Sequence, residues 1–314
     1  MFDYDVIVVG GGHAGIEASL VSSRLGKKTL LLSSNLDRLG YMSCNPSIGG
    51  LAKGHMVREI DILGGEMGVA ADSTCIQFKR LNSKKGPAVR GSRSQCDKDL
   101  YSQYMRKRLF DQSNLEILGK EVVKLHITEG NVEGVYLTDG SLIKGKSTII
   151  CTGTFMNAVM HIGDQQVKGG RVGDKATYGI SDQLIENGFE VTRLKTGTPP
   201  RLLASSIDWS KTKAQYGDDI FYPFSFRSEQ ALKLPQIACY MSETNEKTHD
   251  IIRENLSKSP MFSGAITGFG PRYCPSIEDK ITRFSEKSSH HTFLEPEGLN
   301  TQSIYLQGLS LIHI

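Results

Sequence analysis

The chain has 314 residues, of which 39% are hydrophobic and 23% charged, and its formal net charge at neutral pH is +3. This composition is typical of soluble globular proteins with room for one large or two ordinary domains. The net charge is too small to indicate a nucleic-acid partner by itself, so any cationic surface must be local. The six cysteines form no CxxC pair and no Cys/His cluster, which argues against structural zinc and a secreted disulfide framework and favours a cytoplasmic location.

The chain begins with a predicted strand, glycine turn, helix and second strand. The apolar residues 6–9 follow two aspartates without a cationic region, so they predict a buried strand and not a signal peptide. Nowhere do about eighteen apolar residues follow one another, as a membrane-spanning helix requires. Gly10, Gly12 and Gly15 then fill the GxGxxG pattern at the strand-to-helix junction. This pattern predicts a dinucleotide site with its pyrophosphate at the helix amino terminus.

The second strand lacks the acid that a standard NAD dehydrogenase places near the ribose. It ends at residues 31–35 with no acid before Asp37. Ser34 or Asn35 is the candidate to bond the ribose hydroxyl instead, and either would do so more weakly than an acid. Residues 147–153, STIICTG, resemble the strand that returns to the dinucleotide in two-dinucleotide flavoproteins. They follow a predicted hairpin with Asp139 and Gly140 in its turn. The pattern therefore favours a flavin.

Cys44 lies in a turn rich in Asn, Pro and Gly, before a predicted amphipathic helix. A thiol near a helix amino terminus, with Lys53 and His55 close in sequence, is well placed to form a reactive thiolate. The alternative is that Cys44 is buried and packs as a small hydrophobic residue. The apolar face predicted for the helix consists of Leu51, Val57, Ile60 and Leu63.

A basic strip, residues 79–98, holds seven cations and the single acid Asp97. Such a strip suits phosphate groups, but without interleaved aromatic residues it is also typical of solvated surface. A helix is predicted to follow, with Asp97 as its cap and Tyr101, Met105 and Leu109 spaced by four. The candidate nucleic-acid phosphate contacts of the strip are Lys84, Lys85, Arg90 and Arg93.

The character of the chain changes after residue 201. Residues 202–269 contain more aromatic residues and irregular turns, including the single tryptophan, Trp209. We predict a dinucleotide-binding α/β domain in residues 1–201, an inserted smaller α+β domain in residues 202–269, and a return to the first domain in residues 270–314.

Several segments together resemble one family, the bacterial tRNA uridine 5-carboxymethylaminomethyl modification enzymes, also called MnmG or GidA. They are GGGHAGIEA, MSCNPSIGG, NSKKGPAVR, GGRVGD, LKTGTPPR, NEKTHDIIREN, SPMFSGAITGFGPRYCPSIEDK and FLEPEGLNT. They occur in the family's order over nearly all of residues 1–310. The resemblance implies an FAD-binding Rossmann-like fold of the two-dinucleotide flavoprotein type.

The resemblance also implies an activity. Such an enzyme is FAD-dependent and works with the GTPase MnmE on the wobble uridine of certain tRNAs. The pair adds an aminomethyl or carboxymethylaminomethyl group at carbon 5, with methylenetetrahydrofolate as one-carbon donor and NADH as reductant of the flavin. The family forms homodimers and, with MnmE, heterotetramers. No metal site is implied.

The resemblance assigns site residues by position. Cys44 and Cys274 match the family's two functional cysteines. The flavin site comprises Gly10, Gly11, Gly12, His13, Ala14, Gly15, Val122 and Thr177. The nicotinamide-contacting segment comprises Gly270, Pro271, Arg272, Tyr273, Cys274, Pro275, Ser276, Ile277, Glu278, Asp279, Lys280, Ile281, Thr282, Arg283 and Phe284.

The chemistry of residues 270–280 gives these assignments a physical reason. A thiolate that adds to uracil beside carbon 5 creates an enolate able to attack a one-carbon unit. Arg272 and Lys280 are candidates to stabilise the enolate or a tRNA phosphate. Glu278 or Asp279 is the candidate to remove the carbon 5 proton, and Tyr273 to stack on the base. Which cysteine is the nucleophile stays open.

Residues 311–314 depart from the family pattern. The expectation is that the family's carboxy-terminal helical domain and a further FAD contact are missing, that the last residues are an artefact, and that this chain alone is weak in FAD binding or inactive. One alternative is the FAD- and folate-dependent tRNA uracil-5-methyltransferase. Others are a flavin disulfide reductase or NADH oxidase, which the absence of a CxxC pair disfavours, and an inactive fragment that only binds nucleotide.

Overall fold

The computed structural model of the protein describes residues 1–163, 165–260, 262–264, 266 and 275–310. The strands are β1 Tyr4–Val9, β2 Thr29–Leu32, β3 Ser47–Gly49, β4 Cys75–Leu81, β5 Gly91–Cys96, β6 Leu115–Leu118, β7 Val122–Thr128, β8 Asn131–Leu137, β9 Leu142–Ile150, β10 Val159–Ile162, β11 Gln165–Lys168, β12 Arg201–Leu203, β13 Lys213–Gln215, β14 Cys239–Glu243, β15 His291–Pro296 and β16 Ser303–Gln307. The α-helices are α1 His13–Arg24, α2 Lys53–Ile62, α3 Met67–Ser73, α4 Lys98–Phe110, α5 Ile180–Glu186, α6 Glu246–Asn255 and α7 Ile277–Arg283.

A six-stranded sheet in the order β6-β2-β1-β9-β8-β7 carries the predicted strand–turn–helix–strand unit. Strands β6, β2, β1 and β9 are parallel, and every residue of β2 is buried. Continuous apolar strands are typical of parallel sheets with both faces covered. The predicted hairpin is confirmed, because β8 and β9 pair antiparallel and Gly140 takes a positive φ of 83° in their turn.

Two apolar clusters cover the faces of this sheet. The cluster that contains Ile16 and Leu20 of α1 also contains the fully buried Tyr101 and Leu109 of α4. The second cluster contains Ile180 of α5, residues of β1 and β2 such as Ile7 and Leu30, and buried residues of the antiparallel strands β7 and β8. The helix predicted after Asp97 is confirmed, since the Asp97 carboxylate accepts hydrogen bonds from the backbone N–H groups of Asp99 and Leu100 in the first turn of α4.

A three-stranded antiparallel sheet, β3-β5-β4, contacts α2 and α3. The predicted apolar face of α2 is partly wrong. Val57 is buried, but Leu51 and Leu63 are 52% and 79% exposed. Both lie outside the helix, which begins at Lys53 and ends at Ile62, so the periodicity of a longer helix does not apply to them.

A five-stranded antiparallel sheet in the order β12-β16-β15-β14-β13 joins residues from both sides of the predicted boundary at residue 269. The division into residues 1–201, 202–269 and 270–314 stays a prediction. Within the described ranges, no helix is long and apolar enough to span a membrane.

Candidate dinucleotide and thiol site

The glycine turn after β1 needs glycine at two positions for steric reasons. Gly10 has a φ of +113°, and a Cβ there would lie 2.2 Å from the carbonyl oxygen of Cys151 at the end of β9. A Cβ on Gly15 would lie 1.8 Å from the carbonyl oxygen of Gly10. The turn is therefore packed against both β9 and the first turn of α1, as the fingerprint requires.

Gly12 is different, because no heavy atom lies within 4 Å of the position its Cβ would take. It is the N-cap of the 12-residue helix α1, and no side chain caps the helix there. Free backbone N–H groups and the positive end of the helix dipole then face open space. These residues fit the pyrophosphate of a dinucleotide such as FAD.

His13 opens α1 beside this space. Its ring packs edge-on against the buried Tyr101, with centroids 5.6 Å apart, and the Tyr101 hydroxyl lies 3.5 Å from Nδ1. Desolvation lowers the pKa of His13 below its ordinary value. The ring is therefore neutral at neutral pH and contributes a hydrogen-bonding group to the site, not a charge. Ala14 is exposed and Gly11 buried.

The end of β2 holds the two candidates for the ribose. Asn35 uses its side-chain oxygen to accept a hydrogen bond from the backbone N–H of Asp37, whereas Ser34 is exposed. Of the other implied flavin contacts, Val122 is buried in the core at the start of β7, and Thr177 is half-buried. Val122 belongs to the six-stranded sheet, and Thr177 forms an isolated bridge with Met156. The cofactor roles of both residues stay predictions.

Cys44 is exposed, which separates it from the other cysteines of the described residues. Cys75, Cys96 and Cys239 are buried, and desolvation raises the pKa of their thiols to about 11, about 12 and about 12. A thiol with so high a pKa is a poor nucleophile at neutral pH. Cys44 is thus the described cysteine best placed to meet a substrate. It does not directly precede α2 as predicted, because β3 lies between them in sequence.

Arg201 of β12 holds the backbone of the Cys44 turn. Its guanidinium donates to the carbonyl oxygens of Cys44 at 2.5 Å and Ser43 at 3.3 Å. It also stacks on the Tyr305 ring at 5.0 Å, and the Tyr305 hydroxyl lies 3.8 Å from the Cys44 Sγ atom. The turn is therefore fixed to β12 and β16 of the five-stranded sheet.

The carboxylate of Glu297 holds Arg201 in turn. It is 6% exposed and lies 3.3 Å from Arg201 and 3.4 Å from Lys98. It also accepts a hydrogen bond of 2.6 Å from Ser303. Burial opposes its ionisation, but the hydrogen bond from Ser303 and the two cations hold the pKa of Glu297 below its ordinary value. The ion pair thus stays formed at neutral pH.

Further cations surround Tyr41, three residues before Cys44. The side chains of Arg38, Lys98 and Arg171 lie 4.6, 4.6 and 4.9 Å from its ring centroid. Arg171 also donates to the Ser43 hydroxyl at 2.7 Å. Sequence reasoning missed Arg171 and Arg201 as site residues. The signal available was their position in glycine- and proline-rich turns of the segments GGRVGD and LKTGTPPR.

The predicted nicotinamide segment is described from Pro275 onward. Gly270, Pro271, Arg272, Tyr273 and Cys274 lie outside the described residues. Ser276 caps α7 by accepting a hydrogen bond from the backbone N–H of Asp279.

Within α7, Glu278 is 3% exposed, and its Oε2 atom has no hydrogen-bond partner in the described part of the chain. Asp279 forms an ion pair of 3.5 Å with Arg283, and Lys280 donates to the carbonyl oxygen of Gly308. The other members divide by burial: Ile277 and Ile281 are buried, and Thr282, Arg283 and Phe284 are exposed.

Strand β16 and the residues just beyond it contact both α7 and the turn that carries the Cys44 thiol. Tyr305 in this strand contacts Cys44, and Gly308 just beyond it contacts Lys280. The backbone N–H of Ile277 also donates to the carbonyl oxygen of Ser310. The structure thus connects α7 and the Cys44 turn to the same strand.

The basic strip forms the hairpin of β4 and β5. Lys84 and Lys85 are exposed at its tip, and the Arg90 guanidinium donates to the carbonyl oxygen of Lys85. Arg93 instead forms an ion pair with Glu295, whose side chain is 1% exposed. Arg93 therefore links two sheets, and its role in tRNA binding stays a prediction. In the described residues, no His, Cys, Asp and Glu group is arranged to hold a metal ion.

The fold and the glycine turn define a dinucleotide-binding α/β protein of the flavoprotein type. The family described as "Glucose inhibited division protein A" matches residues 5–312. The chain belongs to this family.

Two relatives share the description "tRNA uridine 5-carboxymethylaminomethyl modification enzyme MnmG". The protein from Bdellovibrio bacteriovorus is 68% identical over 98% of this chain and 48% of its own length. The protein from Geobacter sulfurreducens is 54% identical over 98% of this chain and 49% of its own length. The chain spans about half the length of these relatives.

Solved structures of Aquifex aeolicus GidA confirm the predicted fold class. The form I crystal structure superposes with a TM-score of 0.92 at 49% identity and covers 99% of this chain and 53% of that one. The form II structure gives a TM-score of 0.90 at 47% identity, covering 99% and 50%.

Proposed function

We propose that this chain carries the cofactor turn and a catalytic thiol of an FAD-dependent enzyme that modifies the wobble uridine of tRNA. The product would bear an aminomethyl or carboxymethylaminomethyl group at carbon 5 of the uracil ring. The observation that carries the proposal is the 68% identity with a protein named for this modification, over 98% of the chain. The glycine turn and the exposed thiol of Cys44 support it.

The amino-terminal turn is the proposed flavin site. Gly12 and the uncapped start of α1 would receive the pyrophosphate, and His13 would contact the cofactor as a neutral ring. When bound, FAD supplies the redox chemistry of the reaction. We further propose that Val122 and Thr177 contact it.

Cys44 is the proposed nucleophile toward the uracil ring. Its sulfur would bond to carbon 6, and the electrons of the 5,6 double bond would move into an enolate, so that carbon 5 becomes nucleophilic. Carbon 5 would then bond to the methylene carbon of the donor's iminium form, and the π electrons of its carbon–nitrogen double bond would move to the nitrogen. An incoming amine would later replace that nitrogen on the methylene carbon, so that the donor leaves as an amine. Loss of the carbon 5 proton to a base and breakage of the carbon–sulfur bond restore the double bond and the thiol. Cys274 is the second candidate for the same role.

The carboxylates of α7 are the proposed bases. Glu278 is buried, with one carboxylate oxygen that lacks a hydrogen-bond partner among the described residues, and Asp279 is half-buried. A carboxylate near the reacting carbon accepts its proton in the final step. The connection of both α7 and Cys44 to β16 supports a shared site.

The remaining components are inferred from the family resemblance. They are NADH as reductant at residues 270–284, methylenetetrahydrofolate as one-carbon donor, MnmE as partner, homodimer formation and a cytoplasmic location. The names of both relatives favour the carboxymethylaminomethyl reaction over tRNA uracil-5-methylation.

The experiment that tests the proposal is replacement of Cys44 by serine, followed by mass analysis of wobble uridine in tRNA from a deletion strain that expresses the variant. Serine keeps the shape but is barely ionised at neutral pH, so a thiolate-dependent step is lost. We expect the modification to disappear while bound FAD and NADH oxidation stay near the parent level.

Cys75→Ala is the matched control, because Cys75 is fully buried and out of reach of a substrate, and burial raises the pKa of its thiol. It should lower stability and leave the modification present. Normal modification in Cys44→Ser and in Cys274→Ser would end the nucleophile proposal. Loss of flavin from Cys44→Ser would indicate a structural role at the cofactor.

A further inference from the structure

A cavity of about 500 Å³ opens between the β4–β5 hairpin and residues 217–222. Its volume lies within the range of about 300–1,000 Å³ that is usual for small-molecule sites. The hairpin contributes Arg80, Ser83 and Arg90 to the lining, and the other segment contributes Asp219, Ile220 and Tyr222. The cavity thus combines cations from the basic strip with an aromatic ring that lies far from the strip in sequence.

The aromatic ring and one cation already form a stack. The Arg80 guanidinium lies 4.4 Å from the centroid of the Tyr222 ring, and Tyr222 is 39% exposed. A planar guanidinium on an aromatic ring presents a flat surface on which a further planar group can stack. Unpaired nucleobases are stacked in this way by aromatic and arginine side chains in RNA-binding proteins.

Asp218 fixes the two segments to each other. Its backbone N–H donates to the carbonyl oxygen of Phe78 at 2.8 Å, and its carboxylate accepts from the backbone N–H of Arg80 at 2.7 Å. The same carboxylate pairs with Lys79 at 3.1 Å, which neutralises its charge. The stack of Arg80 and Tyr222 is therefore held in place before any ligand binds.

The charges around the cavity favour an anion. Arg80 and Arg90 line it, and Lys84 and Lys85 are exposed at the tip of the same hairpin. Asp219 is the acid of the lining that has no cation pair in the described part of the chain. A phosphate beside the stacked base would meet these cations.

We propose that this cavity binds one unpaired nucleotide of the RNA substrate, with the base stacked on Arg80 and Tyr222 and the phosphate near Arg90 and the hairpin lysines. This inference rests on the proposed function, which supplies an RNA partner. A paired base is already stacked within its helix, so the cavity selects a loop or another single-stranded segment. A free mononucleotide presents the same base and phosphate groups, and the experiment distinguishes it from an RNA loop.

The test uses the complete protein and a fluorescently labelled RNA hairpin with a uridine loop. Tyr222→Leu should raise the dissociation constant about 5- to 150-fold, the loss expected for one stacked base. Tyr222→Phe keeps an aromatic face and should bind like the parent. Tyr216→Leu is the matched control, since Tyr216 is 72% exposed in the same segment but does not line the cavity.

Arg80→Gln removes the guanidinium and leaves the backbone N–H on Asp218, so it tests the stack if Tyr222→Leu does not fold. It should also weaken binding of the hairpin. A probe in which every base is paired should bind equally to the parent and Tyr222→Leu, and Arg80→Gln should weaken its binding less than it weakens binding of the hairpin, because Arg80 also contributes a positive charge. Uridine monophosphate should compete poorly, because it lacks the neighbouring phosphates.

Three outcomes would overturn the inference. If Tyr222→Leu and Arg80→Gln bind the hairpin like the parent, while the double variant Lys84→Ala, Lys85→Ala binds it more weakly, the stack is excluded and the proposed function stands. If uridine monophosphate binds as tightly as the hairpin, the cavity belongs to a free nucleotide. If the parent holds FAD but binds no RNA, the proposed function itself fails.

Discussion

Gly12 is the residue at which the proposed cofactor site can be tested without disturbing the fold. Its φ of −79° and ψ of −174° form extended backbone that any residue adopts, and no side chain caps α1 there. Gly12→Val should therefore fold, with a loss of stability of about 1 kcal/mol at most. The new side chain occupies the space where the pyrophosphate would lie, so purified protein should contain little flavin by absorbance.

Two other glycines separate cofactor binding from folding. Gly86→Val is the matched control, because Gly86 also has open space around its Cβ position and lies in the basic hairpin, away from the turn. It should keep the parent's flavin content. Gly15→Ala should instead lower the melting temperature, since its Cβ meets the Gly10 carbonyl. Parent-like flavin occupancy in Gly12→Val would contradict the assignment of the turn.

At the scale of elements, Arg201 positions the turn that carries Cys44, because it joins β12 to two carbonyl groups of that turn. Arg201→Gln should lower the rate of wobble modification by about 10- to 100-fold, the effect of misplacing a reacting group by about an ångström. Flavin content should not change. Iodoacetamide should alkylate Cys44 faster, because the thiol is released from its contact with Tyr305.

Arg253→Gln is the control for this change. Arg253 forms a surface ion pair with Asp250 on α6, and such pairs contribute little. Its loss should alter neither alkylation nor modification. If Arg201→Gln behaves in the same way, the contacts of Arg201 with the turn have no role in positioning the thiol.

The elements that could be predicted from sequence are those with local causes. The GxGxxG spacing after β1 and the cap of α4 by Asp97 are visible within a few consecutive positions, although the close approach of Gly10 to Cys151 is not. The contacts of Arg201 with Cys44 and of Arg80 with Tyr222 join residues that are distant in sequence, and no local pattern reports them. The same reason explains why the basic strip seemed to lack an aromatic partner.

At the scale of the whole molecule, a buried carboxylate at the start of α3 joins α1 and α4 to the loop that contains Arg227. Glu66 is 2% exposed and pairs with Arg24 of α1 at 2.6 Å and with Arg108 of α4 at 3.1 Å. It also accepts a hydrogen bond from Tyr104 and lies 3.9 Å from Arg227. Its removal should therefore affect global stability and not one element alone.

The pH dependence of this contribution has a definite sign. Burial opposes ionisation of Glu66, but the hydrogen bonds from Arg24 and Tyr104 hold its pKa below the ordinary value of 4.5. A carboxyl group with a lowered pKa in the folded state stabilises fully above its unfolded pKa and loses that contribution as the pH falls through the folded value. Glu17, whose pKa is raised by burial, has the opposite dependence, because its contribution falls as the pH rises.

Glu66→Gln should lower the free energy of unfolding at pH 7 by about 1.5–3 kcal/mol, the range for hydrogen bonds to charged groups. The difference from the parent should shrink as the pH is lowered below 4.5, since the parent's carboxylate becomes protonated there. Urea unfolding at a series of pH values measures both effects. Glu229→Gln, at an exposed pair with Lys233, should change neither curve. A constant difference between parent and Glu66→Gln down to the lowest pH would exclude ionised Glu66 as the cause.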